Sequence, residues 1–470
     1  MDRVIRDFLY AVRALRRRPL LTGVAVITLT LGIGANTAIF SIVNGVFFKG
    51  VAGLEETEGL VEISRDVDNR FFDMSYPVID HLRETSEELA ELAVVSPSTV
   101  SLGADTEADV VMAFSVTDNY FSLLRLTPAT GRFFTPAEAR FPRVRSVAVI
   151  SHRIWERRFG LDPAVVGSTI RVNSHPVEII GVAGPGFGGH AVGLRGDVWL
   201  PVGLPAPGLH SADALSHPES GVLGAIGRLA PGSSADLAAA ELGRLATAFL
   251  EGRLDRRLEQ PYAARVDDWA PVPAIIRTPV SAFLTVLTVL VALVLAMACL
   301  NVSGMLLSRI HERGPELAVR QVLGAGKRRV VRQLLTESLL LYGMGAVGGV
   351  LVAVWATRLL LAFKPPIPIP GFDIQLDLGA DWRVLGFAIA LAMGTGVLFS
   401  LTPALRGASG PLASSLSGAG RGGSQRQSRL RSILVAAQMG TTVILLVGAG
   451  LFVRALRSLE AIETGWEPRA

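Results

Sequence analysis

Gly184, Gly186 and Gly189 form a G-x-G-x-x-G spacing, the first place in this chain to look for chemistry. Glycines so spaced can wrap a pyrophosphate when the loop leaves a strand and opens a helix. This loop does follow a β-branched stretch. However, Pro185 and the run Gly188-Gly189-His190 do not open a helix, and no βαβ pattern surrounds it. The run reads as a mobile loop. A nucleotide-cradling G-x-x-x-x-G-K-[ST] is absent: Gly326-Lys327 approaches it, but Arg328 follows and no glycine stands five residues before Gly326. The seven histidines (His81, His152, His175, His190, His210, His217 and His311) form no H-x-x-x-H pair, and His311-Glu312 lacks its second histidine. Neither zinc nor triad chemistry is indicated. The single cysteine, Cys299, excludes an intramolecular disulfide and a cysteine zinc site, and reads as a small buried hydrophobe. The chain therefore reads as a non-catalytic protein without cofactor or metal.

Long apolar blocks dominate instead. Mean hydropathy is +0.44, and charged residues make up 18% of the chain, against about 25% in soluble domains. A membrane helix needs about 20 apolar residues. Leu20–Phe48, Val280–Leu307, Leu334–Phe363, Val384–Leu405 and Ile433–Val453 meet that length, and none has a charge in its middle apart from Arg358 near the end of the third. The first block has a basic front (Arg13, Arg16, Arg17, Arg18). Its apolar run is about twice a signal-peptide core and no clear cleavage site follows, so it reads as a retained helix.

The predicted fold class is a polytopic α-helical membrane protein of about five membrane helices, with a large α+β extracytoplasmic domain between the first and second. The expected layout starts with an interfacial amphipathic helix at 1–18 and membrane helices at 19–48, 280–307, 334–363, 384–405 and 433–453. The extracytoplasmic domain is 49–279, a second outer loop is 364–383 and a tail is 454–470. Cytoplasmic segments are 308–333 and the Gly/Ser/Arg-rich linker 406–432.

Orientation follows from basic residues near helix ends. The N-terminal arginines, the stretch Arg309–Arg332 and the stretch Arg406–Arg431 alternate correctly to share the cytoplasmic face; Arg454 and Arg457 depart from the pattern and can snorkel. The N-terminus is thus expected inside, in a multi-pass protein of the bacterial plasma (inner) membrane. A pI of about 9.5 with basic residues beside apolar blocks suits anionic lipid, not nucleic acid.

Local patterns add detail. Val147–Ile150 and Val177–Val182 read as strands; Pro77–Leu92, His152–Phe159 and Leu237–Leu258 read as helices. Asp118 or Asn119 is a candidate cap for the Tyr120–Leu124 turn. Val4, Phe8, Val12 and Leu15 share one helical face. Gly345 and Gly349 permit close helix packing, and Asn36, Asn44, Asn301 and Gln438 read as interhelical hydrogen bonders.

The most informative stretch is Arg309–Ser338, RIHERGPELAVRQVLGAGKRRVVRQLLTES. Glu312, Glu316 and Arg320 follow one another at i,i+4, opposite an apolar side of Leu317, Val319, Val322 and Leu323. A short amphipathic helix on a hairpin of two membrane helices can dock on a soluble partner and pass rigid-body motion into the membrane.

The words Glu316-Leu-Ala-Val-Arg320, Gly324-Ala325 and Arg332-Gln-Leu-Leu-Thr-Glu-Ser338 resemble the coupling segment of MacB/FtsX-class (type VII) ABC-transporter permeases. Leu31-Gly-Ile-Gly-Ala-Asn-Thr-Ala-Ile-Phe-Ser41 is similar to that class's first membrane helix. Tyr120-Phe121, Gly131-Arg132, Val147–Ser151, Phe159-Gly160 and Ile179–Val182 are similar to its extracytoplasmic core domain, and Thr402–Arg406 to the end of its fourth membrane helix. The resemblance implies a permease driven by a separate ATP-binding ABC ATPase. Glu312, Arg313, Glu316, Arg320, Gly324 and Ala325 would lie at the ATPase contact. It also implies export or efflux, a homodimer or a pseudo-dimer through a second repeat, and a periplasmic adaptor as possible partner. Gly314-Pro315 depart from the class pattern, which moves the expected start of the coupling helix toward Pro315. Arg429–Val453 resembles the start of a second half in duplicated permeases that lack a fused ATPase, so the chain looks like a truncated version of one. The rival implied by the same class is an FtsX-like mechanotransmitter that activates a cell-wall hydrolase without transport.

Overall fold

The computed structural model describes residues 2–68, 70–103, 109–193, 195–312, 326–362, 379, 381–408 and parts of 432–457. The chain divides into two compact units: Met1–Asn44, Ser281–Lys364 and Leu378–Ala470 form one, Gly45–Val280 and Pro365–Asp377 the other.

The first unit holds α1 (Asp2–Arg16) and α2 (Pro19–Val43), the latter begun by a proline whose missing N–H has no partner to lose there. Among the described residues, four helices are long and apolar enough to cross a membrane: Pro19–Phe48, Ala274–Ile310, Lys327–Leu360 and Trp382–Leu405. Within the fifth expected span, Gln438–Gly448 is a shorter apolar helix. Val347, Leu351, Trp355 and Leu398 on these helices are 67%, 67%, 65% and 68% exposed. Such outward apolar surface fits lipid as the solvent.

The helix Lys327–Leu360 lies against α2 through glycines. A Cβ on Gly345 would sit 2.6 Å from the Leu29 side chain, and one on Gly349 3.0 Å from Gly34 N. The G-x-x-x-G pair is thus spent inside the chain. The polar residues do what their pattern predicts. Asn36 Nδ2 donates to Val291 O at 2.8 Å, Asn44 Nδ2 to Asp381 Oδ2 at 2.8 Å, and Gln438 Nε2 to Asn301 Oδ1 at 2.8 Å. Cys299 is fully buried among Leu29, Leu295 and Tyr342. In α1 the expected apolar face is divided: Leu15 is buried with Ala11 and Ala14, whereas Phe8 is 48% exposed. Small alanines allow the closer approach, and the bulky ring is left outside.

The second unit is a mixed sheet with short helices. Its strands are β1 (Leu60–Val67), β2 (Arg70–Phe72), β3 (Leu89–Leu102), β4 (Asp109–Val116), β5 (Pro128–Gly131), β6 (Arg143–Val144), β7 (Val147–Ile150), β8 (Thr169–Val172), β9 (His175–Ala183), β10 (Val198–Pro201), β11 (Gly224–Leu229) and β12 (Ala263–Asp268). The helices between them are α3 (Tyr76–Thr85), α4 (Tyr120–Leu123), α5 (Pro136–Ala139), α6 (His152–Phe159), α7 (Ala212–Ser216) and α8 (Ala235–Leu254). The sheet order is β12-β1-β11-β3-β4-β10-β7-β9-β5, with β2 beside β1 and β8 beside β3 and β9. Parallel pairs β10·β4 and β7·β9 among antiparallel ones make it α+β.

Helix ends follow local chemistry. Ser151 accepts from Ile154 N to start α6, and Gly160 at φ 58° ends it. Ser234 likewise starts α8, which buries Ala238, Leu242, Ala246 and Leu250 at four-residue intervals and ends where Asp255 turns left-handed. The helix expected at Pro77–Leu92 stops at Thr85, because Leu89 onward is the long strand β3. Neither candidate cap of α4 acts as one. Asp118 is taken by Arg83 at 2.8 Å, and Asn119 bonds Thr117 and Leu92 O.

Candidate functional site

α9 (Ala274–Glu312) and α10 (Lys327–Ala362) are the arms of the predicted coupling hairpin, 39 and 36 residues long. α11 (Trp382–Ala408) packs beside α10. The segment expected to carry the coupling contact, including Arg313, Glu316, Arg320, Gly324 and Ala325, lies outside the described residues, as does the Glu312 side chain. The base of the hairpin is described. Val330 is buried against Ile310, Val331 and Leu334, which closes the two arms on each other. Arg309 is 8% exposed, and its Nη2 donates to Ala14 O at 3.4 Å near the C-terminal end of α1. A cation there meets the negative end of the α1 dipole. Glu337 and Ser338, further along α10, are also buried. The basic character of the hairpin was legible in the sequence; the tie from Arg309 to α1, across 295 positions, was not.

The opposite end of α9 is held just as definitely. Its first N–H, on Ala274, donates to Glu62 Oε2 of β1 at 2.6 Å. Burial raises the Glu62 pKa, while the Ala274 N–H and Arg277 favour the ionised form and Asp267 opposes it. Glu62 thus serves as a helix cap supplied from a strand 212 positions away. No local pattern could have pointed to it.

Between α8 and β12 lies an open groove of about 640 Å³, lined by Gly243, Arg244, Thr247, Glu251 and Tyr262 among others. Gly243 lets the helix approach the strand, since a Cβ there would sit 2.9 Å from Tyr262 O. Thr247 Oγ1 accepts from Tyr262 N at 2.8 Å and fixes that approach. The loop Gly184–His190 is not loose as expected: Phe187 is buried and stacks on Trp199, with ring centroids 5.3 Å apart. His190 is half-buried, facing Tyr120 OH at 3.1 Å, and desolvation pushes its pKa down to about 4. Among the described residues no cluster of three or more His, Cys, Asp or Glu could hold a metal ion.

Comparison with known proteins gives two domain matches in chain order. Residues 22–245 match the MacB-like periplasmic core domain, and residues 276–412 match the FtsX-like permease C-terminal domain. The chain is 24% identical over 413 residues to a Bradyrhizobium diazoefficiens protein named macrolide export ATP-binding/permease protein MacB, covering 86% of this chain and 58% of that one. It is 26% identical over 294 residues to the pyoverdine export ATP-binding/permease protein PvdT of Pseudomonas syringae pv. tomato, covering 62% and 40%. It therefore spans well under two thirds of the length of either. The crystal structure of the periplasmic region of MacB from Actinobacillus actinomycetemcomitans matches 49% of this chain and 93% of that one, at 12% identity and a TM-score of 0.33.

Proposed function

The chain belongs to the MacB/FtsX class of ABC-transporter permeases, and from that premise we propose that it is the permease subunit of an exporter, worked by an ATPase on a separate chain. The N-terminus and the 313–326 hairpin tip face the cytoplasm. ATPase closure presses on the tip through Glu312, Arg313, Glu316, Arg320, Gly324 and Ala325. α9 and α10 carry the displacement across the membrane to the sheet unit, the extracytoplasmic core domain. A second copy, or a second repeat, supplies the other half of the machine, and a periplasmic adaptor is a fitting outer partner.

One observation supports this most directly. α9 is a single helix of 39 residues, about 58 Å at 1.5 Å per residue. It runs from an N–H held by the sheet to the first residue of the acidic and basic hairpin. Pro279 removes one i→i−4 bond near its start, but no loop interrupts the helix, and a continuous helix can transmit push and rotation. The names of the relatives concern export, which favours that reading over regulation of a cell-wall hydrolase.

The test is reconstitution in proteoliposomes with the cognate ATPase. Arg320→Glu is expected to cut stimulated ATP hydrolysis about tenfold or more, the scale of reversing one interfacial charge, with the sheet unit still folded. Unchanged stimulation removes the coupling assignment. Labelling of Arg320→Cys by an impermeant maleimide from outside removes the orientation as well.

A further inference from the structure

We infer that the glycine-rich turn Gly184–Gly193 is a clamp that ties together the two chain passages linking the extracytoplasmic sheet to α2 and α9, so that the passages move as one. Its use in transport rests on the function proposed above; its existence does not.

The passage that follows α2 is residues 50–54. Gly53 sits at φ 79°, and a Cβ there would lie 3.0 Å from the N, Cα and Cβ of Phe187. Leu54 is buried in the same aromatic core as Phe187, with Val51 and Trp269 packed against that core. The passage that precedes α9 is residues 268–273, and the same turn grips it by two bonds. Trp269 Nε1 donates to His190 O at 2.9 Å, and Val192 N donates to Pro271 O at 2.7 Å. The strand side adds Trp269 N to Leu60 O at 3.0 Å and Ala274 N to Glu62. Arg277 then closes the segment on itself through Val272 O and Asp268 O, each at 3.2 Å.

The turn itself is rigidly based. Phe187 is buried in the domain core, and the half-buried His190 ring is held against it by Tyr120 OH at 3.1 Å. Glycine is needed for its path, not for a ligand: Gly186, Gly189 and Gly193 take φ of 82°, 132° and 95°, where a side chain is strained. That path presents the His190 carbonyl and the Val192 N–H to one passage and the Phe187 backbone to the other. The spacing that suggests a phosphate loop is here a backbone fastener.

The experiment is hydrogen exchange on the full chain in nanodiscs, with neither nucleotide nor ATPase present. Gly53→Ala alters the first passage only, and is expected to speed exchange at residues 268–276 about fivefold, the equivalent of one lost hydrogen bond. Trp269→Phe keeps an aromatic side chain, deletes the donor, and is expected to speed exchange at residues 50–56 by a similar factor. If Gly53→Ala fails to fold, Trp269→Phe decides alone. Exchange changes confined to the substituted passage and the turn overturn the clamp. Because no ATPase takes part, loss of the clamp and loss of the exporter reading are separate results.

Discussion

The two units solve the burial of polar groups in opposite ways. In the extracytoplasmic sheet, the fixed contacts are arginine–carboxylate pairs with the carboxylate buried: Arg83–Asp118, Arg132–Glu138 and Arg153–Asp197, whose acids are 6%, 6% and 2% exposed. Across the apolar spans of the membrane bundle the corresponding work falls to neutral groups, the buried Arg309 and Glu337 standing toward the hairpin end of α9 and α10. Asn36, Gln438 and Ser303 reach across helices, and Thr37 and Ser41 bond back to their own helix. Glycine differs too. In the sheet unit it supplies positive-φ turns as well as close approaches such as Gly243; in the bundle Gly345, Gly348 and Gly349 serve approach alone, so that α10 meets α2. The solvent explains both contrasts. Beside water, an arginine can bury its partner's charge and keep its own rim wet. In lipid that rim does not exist, so amides, hydroxyls and van der Waals packing remain.

The largest effect expected from this comparison is at Asp197. It accepts from Arg153 Nε at 3.1 Å and also from Arg153 Nη2 and the Ser151 hydroxyl. Asp197→Ala leaves a part-buried guanidinium without its partner, and should destabilise the sheet unit by about 3 kcal/mol. Thermal unfolding of the full chain in detergent, followed through sheet circular dichroism, measures it. A loss below 0.5 kcal/mol would mean that the pair is as dispensable as a surface bridge.

Next is Gly345→Leu in the bundle. Its Cβ alone would lie 2.6 Å from Leu29 Cβ, so α10 must retreat from α2. The expected cost is about 2 kcal/mol, read as earlier unfolding in an SDS titration. Gly343, whose Cβ would meet nothing within 4 Å, is the control; Gly343→Leu should be nearly silent. Equal effects at the two positions would break the claim that glycine here serves approach.

Legibility in the sequence divides along the same line. Lipid demands long apolar runs, so the helices were recognisable, although α9 and α10 begin at Ala274 and Lys327, ahead of the expected Val280 and Leu334, and the bridging amides stood out because so little else in those runs is polar. The sheet was harder. β3 is covered on both faces over much of its length, so Leu89–Val95 reads as an apolar run after an acidic pair and is easily taken for a continuation of α3. The fastenings that matter most, Glu62 to Ala274 and Trp269 to His190, join positions far apart and carry no local signal. The residues proposed for coupling rest on an amphipathic spacing and a family resemblance, and their side chains lie outside the described residues.

A smaller effect is a pH dependence that only the sheet unit should show. The bidentate Arg132 fork, both bonds 2.7 Å, holds Glu138 at about 2 against burial, with the Thr135 hydroxyl and N–H assisting. The folded pKa lies below the ordinary 4.5, so the stabilisation is full above that pH and fades as the pH falls toward 2. Arg132 is 51% exposed, and solvent screening limits the total to about 1–2 kcal/mol. Glu138→Gln should flatten the acid limb of stability against pH, with neutral-pH stability reduced by the same amount. An unchanged acid limb would assign it to other carboxylates.

The smallest effect is expected where intuition places a large one. Asn36 is 6% exposed in the middle of α2 and donates to Val291 O at 2.8 Å and to Gly32 O at 2.9 Å. Two good bonds in an apolar setting look expensive to remove. Yet the bundle separates into helices that remain in lipid, where the amide keeps its bond to Gly32 O of its own helix. Only the bond to Val291 is at stake, and interhelical bonds of this kind average about 0.6 kcal/mol. Asn36→Leu removes the donor and the polar group together, so nothing is left unpaired except one carbonyl already bonded within α9. An SDS titration should place this variant within about 1 kcal/mol of the parent. A loss of 3 kcal/mol, matching Asp197→Ala, would show that a neutral amide in lipid carries as much as an ion pair beside water. The contrast between the two units would then lie in the kind of polar group used and not in the energy it supplies.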